Sequence, residues 1–372
     1  MKKLLIIIFL MLIISLPASA NEQEEMFHEQ LRSSNAEELW NDLPTETRSF
    51  LEQLGITELT PDSITSISPN NVLNNLIALL AAQAGGPLRS MGILMGSIAL
   101  FALVDGTRHT VREQSISGVF GAVCGLVMCT ALLLPLSECI RRVCESAQSV
   151  SVFMMSFVPV YAGVMISTGN PATAASYQTI VLFAAELISL LATGVIIPLM
   201  TTSLALGMTG SIAPEYRLGS AGELINKSCG WLLGLGATLF TGLLSVQSLI
   251  GKTADSVTGK MVKFSVGSFV PVVGGALSEA LSTVQSCLNL LKSTLGGLGI
   301  LVTALTVLPP LTECVLWLLT LSVCTMMSET FSLNTATALF KAAQSVLRLL
   351  IAVLAICAVF MIIATAIVSG IS

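Results

Sequence analysis

Charged residues are scarce in this sequence. They make up 10% of its 372 positions, whereas an average soluble domain has about 25%. Hydrophobic residues account for 53%, so the chain has too little polar surface to stay soluble. Histidine is almost absent, with only His28 and His109, and no zinc-ligand or metalloprotease pattern can be assembled from two histidines. The composition predicts a membrane protein without a metal site.

Catalytic and nucleotide-binding motifs are missing as well. Glycine pairs such as Gly274-Gly275 lie in apolar runs, and no phosphate-binding loop pattern occurs. No recognisable motif pairs a catalytic nucleophile with a base, and no basic patch occurs that would bind nucleic acid. The nine cysteines lie in or beside apolar segments, which argues against a disulfide framework. We therefore predict no enzyme activity, no cofactor and no nucleic-acid partner.

Residues 1–20 have the pattern of a cleavable signal peptide. Lys2 and Lys3 precede an apolar run from Leu4 to Leu16, and the small-residue site Ala18-Ser19-Ala20 follows. The alternative is an uncleaved signal anchor. The apolar run is short for a membrane-spanning helix, which needs about 20 residues, and this favours cleavage.

Residues 21–69 form an acidic segment that is expected to be exported. Residues 21–62 hold 11 of the 22 acidic side chains of the chain. Pro44 followed by Thr45 to Leu54 predicts a short helix that presents Phe50, Leu51 and Leu54. Two interpretations stay open for this segment: a solvated spacer, or a docking element for another exported protein.

Residues 70–372 are predicted to form an all-α polytopic membrane domain with about 6–9 hydrophobic spans. Every crossing must be helical, because a backbone in lipid has to satisfy its own hydrogen bonds and no alternating barrel-strand pattern occurs. The hydrophobic windows lie near residues 88–105, 117–137, 152–168, 176–200, 229–250, 264–282, 294–309, 311–328 and 345–369.

The basic residues give a partial test of orientation. If the acidic segment is exported, the basic loop at 106–112 is cytoplasmic, and counting onward places the lysines between 252 and 263 on the same side. Arg141 and Arg142 fall on the exported side and do not fit. Either residues 139–150 form an interfacial helix or one predicted span is misplaced.

An internal repeat with an offset of 112 residues is the most informative pattern. Two short apolar motifs recur at this offset, which favours duplication over chance similarity. With three crossings between the copies, they would run in opposite directions, as in secondary transporters. The matched motifs are Ser156–Val160 with Ser268–Val272 and Val195–Leu199 with Val307–Leu311, within repeats 156–211 and 268–323; separately, Leu134–Cys139 resembles Pro309–Cys314.

Several residues are candidates for a pathway or for helix packing. Proline frees backbone carbonyls at membrane depth, so Pro159, Pro198, Pro271 and Pro310 either line a pathway or kink helices for packing. Glu186 lies in an apolar run, where an ionisable group is costly. It could line a lumen or pair with a basic group such as Arg89. Glycines at spacing four, including Gly92 with Gly96 and Gly230 with Gly234, favour a packed bundle or a homo-oligomer.

The two blocks that contain the repeated motif also carry a family resemblance. The block Ser156–Gly163 continues through Ser167-Thr168-Gly169-Asn170-Pro171, and the second block runs from Lys263 to Ala280. Together with the signal peptide, the acidic segment and Leu88–Gly92, they resemble the stage III sporulation protein AE family of endospore-forming bacteria. The resemblance covers nearly the whole chain.

This resemblance implies a component of a channel or secretion-like complex that joins mother cell and forespore during engulfment. It would place the protein in the outer forespore membrane, with the acidic segment in the intermembrane space. The implied partners are other membrane proteins of the stage III sporulation A operon and, indirectly, the forespore stage II sporulation protein Q. The alternatives are a self-contained secondary transporter that uses Glu186, and a membrane scaffold without a lumen.

Overall fold

The computed structural model describes residues 29–32, 36, 38–56, 69–107, 114–212, 218–269 and 274–369. All regular structure in these ranges is helical, which confirms the all-α fold class. The helices are α1 (Thr45–Gln53), α2 (Pro69–Thr107), α3 (Gln114–Ser167), α4 (Pro171–Leu191), α5 (Ile197–Ile212), α6 (Leu218–Phe269), α7 (Gly274–Thr330) and α8 (Asn334–Ser369), with a 3₁₀ turn at Glu38–Trp40 and a π-helical segment at Ala192–Ile196 between α4 and α5.

Within the described ranges, six helical stretches are long and apolar enough to cross a membrane, the lower limit of the predicted number. Several predicted spans are not separate crossings, because no turn divides them: 117–137 and 152–168 both lie in α3, and 294–309 and 311–328 both lie in α7. The six stretches are Asn70–Val104, Val123–Ser167, Pro171–Ile212, Leu218–Val246, Val284–Thr330 and Asn334–Thr365.

The long helices pack side by side and alternate in direction. Cys139 of α3 lies opposite Cys314 of α7, and farther along α3 Ser146 bonds to Thr306, so the two helices are antiparallel. Helices α7 and α8 form a hairpin, in which Gln344 donates to the Thr325 hydroxyl at 3.0 Å. In the described residues, the resulting bundle has buried apolar side chains on each of its long helices.

The turn between α3 and α4 closes with a Schellman motif. Gly169 has φ +87° and its amide bonds to the carbonyl of Ile166, while the Asn170 amide bonds to the carbonyl of Met165. Pro171 then opens α4 at the position where its missing N–H costs nothing. Asp255 of α6 accepts hydrogen bonds from the Ala172 and Thr173 amides at 2.9 Å. This end of the bundle is therefore tied to α6.

These contacts overturn one prediction about orientation. Helix α3 is continuous, so its first residue, Gln114, and the turn at 168–170 after it lie at opposite ends of the bundle. Residue 252 lies on α6 within one helical turn of Asp255, beside the turn at 168–170. Gln114 and residue 252 therefore lie at opposite ends of the bundle, which contradicts the prediction that the chain just before α3 and the lysines from 252 onward face the same side; most of the basic loop itself lies outside the described residues.

The two predicted repeat copies differ in their helix boundaries. The turn at 168–170 aligns with residues 280–282, which lie inside the continuous helix α7. The second motif, Ser268–Val272, begins at the end of α6 and continues into residues 270–273, which lie outside the described part of the chain, as Pro271 does. The inverted repeat stays a prediction.

The acidic segment contains the helix that its sequence predicts. Helix α1 spans Thr45–Gln53, and Leu51 and Leu54 are buried as expected. Leu39, Leu43 and Ile56 are buried with them. The segment is therefore not a loose spacer in its described part, because it packs against the membrane domain of its own chain.

Candidate functional site

A polar crevice of about 790 Å³ opens midway along α3 and α7. Four parts of the chain form its walls: the α1 segment, α2, α3 and α7. It is the place where the acidic segment meets the membrane domain. The lining residues are Asp42, Pro44, Thr45, Glu46, Thr47, Gln83, Arg141, Arg142, Glu145, Ser146, Gln148, Ser149, Val152, Leu305, Thr306, Pro309, Pro310 and Glu313.

A charged layer crosses the crevice and consists of Glu138, Arg141, Arg142, Glu145 and Glu313. Arg142 connects two helices, since its guanidinium lies 3.4 Å from Glu138 on α3 and 3.2 Å from Glu313 on α7. The Glu313 side chain is only 11% exposed, so it depends on this cation more than a surface carboxylate would. Arg141 pairs with Glu138 and Glu145 along α3. Three carboxylates face two guanidinium groups, and the layer carries a net negative charge when all are ionised.

Two adjacent prolines in α7 create acceptors for this site. Pro310 has no amide hydrogen, so the carbonyl of Thr306 lacks its ordinary helical donor. The Ser146 hydroxyl of α3 donates to that carbonyl at 2.9 Å. The carbonyl that Pro310 leaves without a helical donor therefore takes part in a hydrogen bond between α3 and α7.

The acidic segment is anchored at the same point. The Thr47 and Thr306 hydroxyl oxygens are 2.7 Å apart, and the Thr306 hydroxyl also donates to the Val302 carbonyl at 2.8 Å. Thr47 therefore donates to Thr306. Thr47 is 2% exposed, which makes this a buried contact between α1 and α7.

Helix α2 joins the site through Gln83. The Thr312 hydroxyl of α7 lies 2.6 Å from Gln83 Oε1 and 2.8 Å from the Pro309 carbonyl, and its single hydrogen can be donated to either. Three membrane helices and the acidic segment therefore meet at one level of the bundle.

The register of α3 against α7 can be tested with native cysteines. The Cys139 and Cys314 sulfurs are 3.5 Å apart and both side chains are buried. A small shift would allow a disulfide, whose sulfurs are about 2.05 Å apart. We expect diamide to oxidise these two thiols to a disulfide, detected as a linked 139/314 peptide by mass spectrometry. Cys314→Ala removes that peptide, and a dominant link between other cysteines would contradict the register.

Of the predicted pathway or packing residues that the structure describes, Pro310 alone lies in the crevice; Pro271 lies outside the described residues. Glu186 on α4 and Arg89 on α2 are both exposed, and they form no ion pair with each other. Pro159 on α3 and Pro198 on α5 are exposed on the outside of the bundle. The structure therefore does not bring these candidates together.

Sequence reasoning missed Arg142 and Glu313, although two signals pointed to them. The first was the arginine pair that fitted no loop of the predicted topology. The second was the resemblance of Leu134–Cys139 to Pro309–Cys314: the structure places Cys139 against Cys314, and Glu138 and Glu313 on the same arginine. Both similar strings contribute to one site.

The Arg142–Glu313 pair is expected to contribute more to stability than its neighbours. Arg142→Met keeps the apolar stem but leaves Glu313 without its cation, and we expect a loss of about 1–3 kcal/mol. Arg141→Met removes only exposed pairs, for which about 0–1 kcal/mol is expected. Thermal unfolding in detergent measures both. Adding Glu313→Gln to Arg142→Met should recover part of the loss; equal losses for the two arginine variants would contradict the assignment.

Comparison with known proteins gives the chain its family. The family described as stage III sporulation protein AE matches residues 56–372. Stage III sporulation protein AE of Bacillus subtilis (strain 168) is 25% identical over 284 residues, which cover 76% of this chain and 71% of that protein. No solved structure matches. The family match begins at residue 56 and leaves α1 outside it. The chain belongs to the stage III sporulation protein AE family, which gives it a role in sporulation.

Proposed function

We propose that this protein is a multi-pass membrane component of the channel or secretion-like complex that links mother cell and forespore during engulfment. The observation that carries the proposal is the family match over residues 56–372. Six candidate spans support placement in a membrane. The proposed location is the outer forespore membrane, with the acidic segment in the intermembrane space. Its proposed partners are the other stage III sporulation A-operon membrane proteins and, indirectly, stage II sporulation protein Q.

The crevice has an assembly role in this proposal. It fixes the acidic segment to α7 through the Thr47–Thr306 bond, and it joins α2, α3 and α7 at the charged layer. A partner in the intermembrane space would meet the acidic segment at a fixed position relative to the spans. The segment would thus act as a structured part of the complex.

A self-contained secondary transporter is the less favoured function. That function would use Glu186 as an interior group on a solute pathway. The Glu186 side chain is exposed on α4 and is not part of the crevice. The geometry therefore favours the complex component.

The test is deletion of the gene in its own host, followed by microscopy of sporulating cells. We expect arrest after engulfment with a small or collapsing forespore, and rescue by the wild-type chain. Rescue by Arg141→Met but not by Arg142→Met, at equal protein levels, would support the role of the crevice. Normal spores together with a solute-specific growth defect would contradict the proposal and favour a transporter.

A further inference from the structure

Helices α6 and α8 pack side by side and run in the same direction. The Asn226 side-chain amide of α6 donates to the Ser345 hydroxyl of α8 at 3.2 Å. One turn farther along both helices, a Cβ added at Gly230 would lie 3.7 Å from Leu349 Cδ1. These two contacts define the line along which the helices meet, and this line determines which of their other residues share a face.

Lys227 and Arg348 lie at the same level and on the same face of this helix pair. Each helical residue advances by about 100°, so each cation is turned about 80° away from the contact line of its helix, in opposite senses. Because the helices are parallel, these opposite rotations bring both side chains to one face, and both are exposed. The same construction places Phe240 and Phe360 on the other face, where their ring centroids are 4.6 Å apart.

The surrounding charges leave this face positive. Within the described residues, neither Lys227 nor Arg348 forms an ion pair. Lys341 lies on the same face of α8, but it is paired with Glu329 of α7 at 2.8 Å. Glu223 is exposed one turn before Lys227 on α6. Three cations therefore accompany two carboxylates, and the face carries one net positive charge that a single anion can neutralise.

An uncharged groove follows the two helices away from the cations. On α6 no charged residue occurs from Ser228 to Gly251, and on α8 none follows Arg348. The stretch of α6 is about 35 Å long, which is enough to cross a hydrocarbon core of about 30 Å. Gly234 is exposed with open space around it, and Val359 on α8 is 49% exposed. The groove is therefore narrow in side chains and apolar along its length.

Trp231 lies where the cations give way to the groove. It follows Lys227 by one turn of α6 and is 68% exposed. Tryptophan is enriched at the headgroup level of membranes, and basic side chains between membrane helices bind anionic headgroups. An acidic protein segment would neutralise the cations but leave the apolar groove uncovered. A phospholipid satisfies both features with one molecule, because its phosphate and its acyl chains are joined.

We propose that Lys227 and Arg348 bind the phosphodiester headgroup of an anionic phospholipid, whose acyl chains lie in the groove between α6 and α8. The axes of packed helices are about 8–10 Å apart, so both side chains can reach one phosphate. Arginine binds it through a planar pair of N–H groups and lysine as a point charge. This site goes beyond the proposed function, which concerns protein partners.

The fluorescence of Trp231 reports which lipid occupies the site. The chain has three tryptophans, so Trp40→Phe and Trp317→Phe leave Trp231 as the single emitter. The protein is reconstituted in phosphatidylcholine vesicles that contain a fraction of brominated phosphatidylglycerol or brominated phosphatidylcholine, and bromine quenches tryptophan on contact. We expect the site to prefer phosphatidylglycerol over phosphatidylcholine about fivefold or more, because basic residues attract anionic lipid.

Variants of the cations show whether they cause this preference. Lys227→Gln combined with Arg348→Gln should bring the ratio of the two lipid affinities to about one. Arg89→Gln is the control, since it removes an exposed cation of α2, and the preference should remain. Equal quenching by both lipids in the presence of Lys227 and Arg348 would overturn the inference and leave the cations for an acidic protein segment. A preference that survives the double substitution would overturn it as well.

A second measurement uses the wild-type chain and distinguishes a lipid from free phosphate. In detergent, added phosphatidylglycerol should raise the unfolding temperature more than phosphatidylcholine does, and inorganic phosphate at the same concentration should not raise it. An equal shift with inorganic phosphate would assign the cations to free phosphate and contradict a lipid site. Neither experiment depends on sporulation, so a failure of the proposed function is recognised separately by a normal deletion phenotype.

Discussion

Replacing Asp255 by alanine is expected to lower the free energy of unfolding by about 2–3 kcal/mol. Asp255 is 5% exposed and accepts three hydrogen bonds: from the Ala172 and Thr173 amides at 2.9 Å and from the Thr173 hydroxyl at 2.6 Å. These amides are at the N-terminal end of α4, where no helical acceptor exists and negative charge is favoured. The change therefore leaves buried donors unpaired.

Thermal unfolding in detergent, followed by circular dichroism, measures this effect. Asp255→Asn keeps one acceptor oxygen but removes the charge, and its loss should be smaller than that of alanine. Ser245→Ala on the same helix is the control, because Ser245 is exposed and its hydroxyl donates to the Thr241 carbonyl of its own helix; a change within about 0.5 kcal/mol is expected. Wild-type stability for Asp255→Ala would show that α6 does not cap α4.

The fold class was predictable because it follows from solvent physics. A chain that is 53% hydrophobic and 10% charged, without barrel alternation, has no alternative to helices in lipid. The number of separate spans was harder to predict, because charged residues between 138 and 151 and the proline at 310 interrupt the hydrophobic windows, although both interruptions lie inside continuous helices. Pro135 and Pro159 lie inside α3, and Pro309 and Pro310 inside α7. The Thr306 carbonyl illustrates the reason, since a serine of another helix satisfies it. The hydropathy of the sequence does not show which side chains form such hydrogen bonds between helices.

The site depends on long-range register, which a single sequence does not contain. Arg142 and Glu313 are 171 positions apart, and they meet only because α3 and α7 run antiparallel with Cys139 opposite Cys314. The predicted partners Glu186 and Arg89 followed from charge alone. They lie on the exposed faces of α4 and α2. Opposite charge is therefore a weak guide to contact when neither helix packing nor direction is known.

The spacing of glycines in the sequence also did not predict which glycines lie at helix contacts. A side chain added at Gly92, Gly96 or Gly234 would meet nothing within 4 Å. Helix backbones approach closely at other glycines: Gly210 of α5 lies against the backbone of Gly219 in α6, and Gly222 of α6 lies against the backbone of α5. Small residues permit close approach, but the sequence does not tell which of them face a neighbouring helix.

Gly222→Ala is accordingly expected to destabilise the protein by about 1–3 kcal/mol through overpacking. Its added Cβ would lie 2.9 Å from the Ser203 carbonyl oxygen and 3.3 Å from the Gly207 nitrogen. Both are backbone atoms, so α5 and α6 would have to separate. That movement would also stretch the hydrogen bond from the Ser203 hydroxyl to the Gly222 carbonyl, now 2.9 Å. Alanine favours a helix over glycine by up to about 1 kcal/mol, which offsets only part of the loss.

Gly234→Ala on the same helix separates the packing effect from helix propensity. Gly234 is exposed and has open space around it, so the variant should be as stable as the wild type or up to about 1 kcal/mol more stable. Thermal unfolding of the two variants side by side therefore gives shifts of opposite sign if α5 and α6 pack as the structure has them. Equal stabilisation by both substitutions would mean that the two helices do not touch at Gly222, and that α6 packs through another face.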